Sequence, residues 1–189
     1  MIRFLDGVYE SKRGHSALDY RRPPSPKISA VPVDPGGSNM PLPEPDYAAA
    51  ITLRKADGSS VAGEIRCWHD DPLASEPDQV RLCLEFEGRS IQASAGDAFN
   101  ALCALRHQLE AYQMRPCCYG ASKNVYPSGM CLDMGQGYTA YKLYLGEYGR
   151  IANLVGIFDT GDDVDPATVE EQAMFYDEWL ASSPKASPT

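Results

Sequence analysis

The stretch VRLCLEFEGRSIQA, residues 80–93, decides the fold class. Val80, Leu82, Leu84 and Phe86 alternate with Arg81, Cys83, Glu85 and Glu87. A strand turns successive side chains to opposite faces, so this spacing predicts a strand with one face buried. Gly88-Arg89 then turns the chain back into Ser90–Ala93. Upstream, AAAITLRK (48–55) and VAGEIRCWH (61–69) flank Asp57-Gly58-Ser59-Ser60, which reads as a second hairpin. Residues 70–78 contain Pro72 and Pro77 and read as a loop. The first half is therefore expected to be a four-stranded antiparallel meander.

Downstream the period changes. In AFNALCALRHQLEAY, Ala98, Leu102, Leu105 and Leu109 fall on one face of a helix, which should lie across the sheet and stop before Pro116. Ser94-Ala95-Gly96-Asp97 has capping-box spacing at its start, with Asp97 in the place of the usual glutamate. Residues 117–135 read as loop. Tyr138–Leu145 and Asn153–Phe158 read as later strands, and Asp165-Pro166 as the start of a final helix. Val169, Ala173, Tyr176 and Leu180 mark that helix's expected apolar face, and Glu170 and Glu171 complement its dipole. The fold class is α+β: an antiparallel sheet, a four-stranded meander plus two or three later strands, with two main helices.

Eight of the fifteen prolines fall in residues 21–47, where neither helix nor central strand can form. The expected organisation is a proline-rich leader (1–45), a single domain (46–183) and a frayed tail (184–189). Pro23, Pro26 and nearby arginines have the residue types of a PxxP ligand, so an adaptor role through the leader is one reading. No run of apolar residues is long enough to span a bilayer, and charge interrupts the first twenty residues, which suits a cytoplasmic protein. The six cysteines lack zinc spacing, and Cys67, Cys83 and Cys103 sit in apolar runs as buried free thiols do. No metal or cofactor is expected.

The formal net charge is −9, and residues 146–180 hold nine acids against Arg150. Such a segment repels nucleic acid and anionic membrane and steers toward a basic partner. The acidic loop DTGDDVD (159–165) lacks the entering helix of an EF-hand. Seven of the eleven tyrosines fall between 112 and 148, and tyrosine is a favoured interface anchor. Partner-binding candidates are Asp159, Asp162, Asp163, Tyr141, Tyr144 and Tyr148. The segment RPCCYGASKNVYPSGMCLDM (115–134) is the alternative site: Tyr119, Ser122, Lys123, Asn124, Tyr126 and Ser128 could line a ligand loop, although it does not match the P-loop pattern. Cys117 or Cys118 with His107 or His69 would have the residue types of a cysteine nucleophile and its base, with no spacing that fixes the geometry. No residue is assigned a catalytic role.

The strings ALCALR (101–106), CYGASKNVYPSGM (118–130) and FDTG (158–161) resemble a group of small bacterial proteins, some similar to immunity partners of secreted polymorphic toxins. The resemblance covers roughly residues 48–183. It implies a cytoplasmic protein that binds a cognate toxin domain with a basic surface and blocks it, and it carries no residue roles. The alternative expectation is a small enzyme or nucleotide-binding protein using the Tyr119–Met130 loop.

Overall fold

A computed structural model describes residues 44–69 and 79–182. The leader up to residue 43, the 70–78 loop and the tail lie outside the described residues. Strands β1 (Tyr47–Lys55), β2 (Ser60–Trp68), β3 (Val80–Phe86) and β4 (Arg89–Ala95) form the expected meander, each pair antiparallel. Helix α1 (Ala98–Glu110) follows, and β5 (Met114–Pro116) returns beside β1, giving the order β4-β3-β2-β1-β5. A second sheet, β6-β7-β8, contains Val125–Tyr126, Thr139–Lys142 and Leu154–Gly156. Short α2 (Gly129–Asp133) lies between β6 and β7, and α3 (Val169–Ser182) ends the described chain. The architecture is α+β.

Local chemistry explains the hairpins. Phe86 pairs with Arg89, so only Glu87 and Gly88 turn the chain, both at positive φ (46° and 71°). Two consecutive left-handed residues make the type I′ turn whose twist matches the strands. In the β1–β2 loop, Asp57 accepts from the Ser59 amide at 2.8 Å. Leu102, Leu105 and Leu109 are fully buried against the sheet's inner face, where Leu53, Ile65, Leu82 and Leu84 meet them. Each such side chain contributes about 1.5–3 kcal/mol. Among the described residues no helix is long and apolar enough to cross a membrane.

Several boundaries differ from the sequence reading. The cap of α1 is Asp97, not Ser94: its carboxylate accepts from the Asn100 amide at 2.9 Å, while Ser94 still pairs with Arg81 in β4. The last helix starts later than Asp165-Pro166, because Pro166 bridges to Ser122 instead. Thr168 and Glu171 cap it reciprocally: Glu171 N donates to Thr168 Oγ1 at 3.1 Å, and Thr168 N donates to Glu171 Oε2 at 2.8 Å. Residues 117–135 are not simply loop, since they hold β6 and α2. The inner face of α3 is Gln172, Phe175, Tyr176 and Trp179, whereas Leu180 is 51% exposed.

Candidate functional site

The segments that carry the candidate residues are joined by a buried polar hub. Arg106 on α1 is only 3% exposed, and Gln172 on α3 1%. Arg106 Nη1 donates to Gln172 Oε1 at 2.6 Å, and Nη2 donates to the Ala167 carbonyl at 2.9 Å. Gln172 Nε2 lies 3.1, 2.9 and 2.7 Å from the carbonyls of Gly120, Ser122 and Val125. One glutamine thus fixes α3, the 119–125 segment and the arginine together. No carboxylate pairs with Arg106 among the described residues, and its Nε has no partner.

This arrangement decides what the Tyr119–Met130 segment offers. The amides of Tyr119, Gly120, Ala121, Ser122 and Lys123 all donate to backbone carbonyls, those of Asp159, Ile157, Cys118, Tyr119 and Asp165 respectively. A phosphate cradle needs free amides, and the Tyr119–Lys123 run has none to give. Ser122 is fully buried and its Oγ accepts from the Asp165 amide at 3.1 Å. Asn124 Nδ2 donates to the Leu143 carbonyl at 3.4 Å, and Ser128 caps α2. Tyr126 is buried, stacked on Tyr176 at 4.0 Å. Of the six alternative-loop residues Lys123 is exposed, Tyr119, Asn124 and Ser128 are half-buried, and Ser122 and Tyr126 are buried; Tyr119 reaches the exposed Asp163. Cys118 is no better placed as a nucleophile: burial pushes its thiol up to about 11, so it is protonated at neutral pH.

The acidic candidates divide. Asp163 accepts from Tyr119 Oη at 2.8 Å and from Lys142 Nζ at 2.7 Å, while the ammonium lies 4.1 Å from the centre of the Tyr119 ring. The hydrogen bonds from Lys142 and Tyr119 hold the Asp163 carboxyl below its ordinary value. Asp163 therefore clasps the β8–α3 connection onto β7. Asp159 and Asp162 are exposed. Tyr141 is half-buried on β7 between Tyr126 and Leu154, and burial raises its phenol.

Tyr144 and Tyr148 lie on the β7–β8 loop, each 43% exposed. Three apolar neighbours accompany them: Leu145 at 46%, Ile151 at 75% and Leu154 at 39%. Five of the eleven exposed large hydrophobics among the described residues thus fall in this one stretch, which makes it the principal exposed apolar segment. The loop is anchored rather than free. Trp179 Nε1 donates to the Glu147 carbonyl at 2.9 Å, and the Gly146 amide donates to Ser182 Oγ at 2.9 Å. Tyr126, Tyr176 and Trp179 form a continuous stack beneath it. Exposed Asp177 and Glu178 precede the anchoring Trp179 on α3, and Glu147 sits in the loop itself.

Sequence reading found the tyrosines and missed Leu145, Ile151 and Leu154. For Ile151 a signal existed, since an apolar residue after Gly146, Glu147 and Gly149 has no helical or strand period that would bury it. Leu145 and Leu154 read as ends of the flanking strands, but β7 stops at Lys142 and Leu154 only opens β8. It also missed a three-residue group. His107 Nδ1 lies 3.6 Å from Glu110 Oε1 and 3.9 Å from Glu170 Oε1, and all three atoms fall within 4.8 Å of one another. These residues have the types that could hold a divalent ion. They are half-buried or exposed, and a protonated histidine between two carboxylates satisfies the same geometry.

No family model matches the sequence, and no curated protein matches it either.

Proposed function

We propose that the chain is an immunity-type binding protein, acting in the cytoplasm, that neutralises a cognate bacterial toxin domain by direct contact. The observation that carries this reading is the anchored β7–β8 loop, along which Tyr144, Leu145, Tyr148 and Ile151 are exposed, with Leu154 exposed at the start of β8. Interfaces place aromatic and aliphatic anchors at the centre and polar groups at the rim. Exposed Asp177 and Glu178 on α3 precede the anchoring Trp179, while Glu147 in the loop is paired with Arg150 at 3.6 Å, so the acidity that would steer a basic toxin surface comes from α3. Holding the loop by Trp179 and Ser182 reduces the ordering cost of binding.

The test is co-expression with the toxin domain encoded beside the gene, together with direct titration of the two purified proteins. Wild type is expected to rescue growth and bind, more weakly as salt rises. The double substitution Tyr148→Ala, Ile151→Ser should leave the circular dichroism unchanged and weaken binding about thirtyfold or more. No binding by wild type overturns the function. Full binding by the double variant overturns the assignment of the face.

A further inference from the structure

A second region of the surface has the opposite character. A cleft of about 630 Å³ opens where β1, β5, the end of α1 and the start of α3 meet, lined by Arg54, Lys55, Glu110, Arg115, Pro166 and Thr168 among others. Three cations in one cleft stand out in a chain of net charge −9. The β1–β5 register places Arg54 directly opposite Arg115. Directly opposed residues in an antiparallel pair have Cα atoms about 4.5–5.5 Å apart, and like charges there destabilise the sheet.

The two arginines differ in their partners. Arg115 lies 3.3 Å from Glu171 Oε2 and donates to the Pro166 carbonyl at 3.3 Å. Lys55 pairs with Glu87 at 2.8 Å. Arg54 is exposed and makes no ion pair among the described residues. The cleft therefore presents one unpaired guanidinium beside a second whose ion pair is solvent-exposed and weak.

We propose that this cleft binds a small phosphate-bearing anion, a phosphomonoester or diphosphate group, between Arg54 and Arg115. A guanidinium offers a planar fork of donors that fits phosphate oxygens in pairs. A phosphate group gathers its terminal oxygens and charge on one centre and can accept from both forks at once, whereas a dicarboxylate such as succinate divides its two charges between groups two methylenes apart. The cleft volume lies within the usual range of small-ligand sites, about 300–1,000 Å³. The bound anion relieves the repulsion built into the Arg54–Arg115 pair. None of the residues on the β7–β8 loop takes part.

The experiment is calorimetric titration of the full chain with inorganic pyrophosphate at low salt, with succinate as the carboxylate control. Wild type is expected to bind pyrophosphate saturably and succinate more weakly. Arg54→Ala should weaken pyrophosphate about tenfold or more, as loss of a charge-assisted contact requires. Arg54→Glu should abolish binding while the ligand-free Tm stays equal or rises, because the opposed pair becomes attractive. Tyr148→Ala should leave the titration unchanged. Absence of saturable binding overturns the proposal, as does unaltered binding by Arg54→Ala. Succinate binding as tightly as pyrophosphate overturns the assignment to phosphate.

Discussion

Replacing Gln172 with leucine removes the centre of the buried hub while keeping the side chain near its original size. Arg106 Nη1 loses its shortest partner, at 2.6 Å, and keeps the Gly120 carbonyl at 3.2 Å and a long contact to Cys103. A hydrogen bond to a charged group is worth about 1.5–3 kcal/mol. The two Nε2 hydrogens, shared among three buried carbonyls, add about 1 kcal/mol each. Better apolar packing of leucine offsets part of the loss, so the expected cost is about 3–5 kcal/mol, the range seen when one partner of a buried charge is removed. For a domain of this size that lowers Tm by about 12–20 °C. Urea unfolding followed by circular dichroism measures it, provided the m-value is unchanged. Arg106→Met combined with Gln172→Leu should cost less than the sum of the single changes, since the double variant buries no charge. A loss below about 1 kcal/mol for Gln172→Leu, or strict additivity in the double variant, refutes the reasoning.

Gly120→Ala should be destabilising by about 1–3 kcal/mol or more, since its Cβ would sit 2.6 Å from Leu102 Cδ2 and 2.9 Å from the Ile157 carbonyl oxygen. Chemical denaturation measures it, and a neutral result would show that α1 and the β8 segment can separate. Glu171→Gln keeps the capping acceptor and removes its charge. The hydrogen bond from Thr168 N, assisted by Arg115, holds the Glu171 carboxyl below its ordinary value. Its charge therefore stabilises the fold above the unfolded carboxylate value of about 4.3 and ceases to do so as pH falls through the lowered folded value. Wild type should exceed the variant by about 0.3–1 kcal/mol at neutral pH, discounted for exposure, and the two Tm curves should converge in acid. A gap that persists unchanged at low pH counts against the capping role.

The meander was legible because its residues carry a strict period. Val80, Leu82, Leu84 and Phe86 alternate, and Asp57-Gly58 and Gly88 mark the turns. The second turn sits at Glu87-Gly88, one residue before the Gly88-Arg89 that the sequence suggests, because Arg89 already pairs with Phe86. The inner face of α1 was legible for the same reason. Strands of two or three residues, such as β5 and β6, are too short to show any period, and their pairing comes from the tertiary fold. The face of α3 misled because its innermost residue is a glutamine, buried for its hydrogen bonds rather than its apolar surface. Ser94 and Asp97 both have capping chemistry, and strand pairing of Ser94 with Arg81 decides between them. At the candidate face the tyrosines were visible from composition, whereas the anchoring of their loop by Trp179 joins residues 32 positions apart and leaves no local mark. The Arg54–Arg115 opposition was hidden likewise, since nothing local places β5 beside β1.

The hub around Arg106 also sets an order on biosynthesis. Its protein oxygen partners, at Gly120, Ala167 and Gln172, all lie C-terminal to it. While the chain is being made, the meander and α1 can associate early and the Gly120 carbonyl follows soon after, but the guanidinium gains its full set of oxygen partners only once Ala167 and Gln172 have left the ribosome. A chain interrupted before Gln172 leaves a cation on the helix where the finished protein has an interior. The last helix is thus the element that commits the nascent polypeptide to its closed form, and until it arrives the half-made domain presents a charged, unsealed seam to chaperones and proteases.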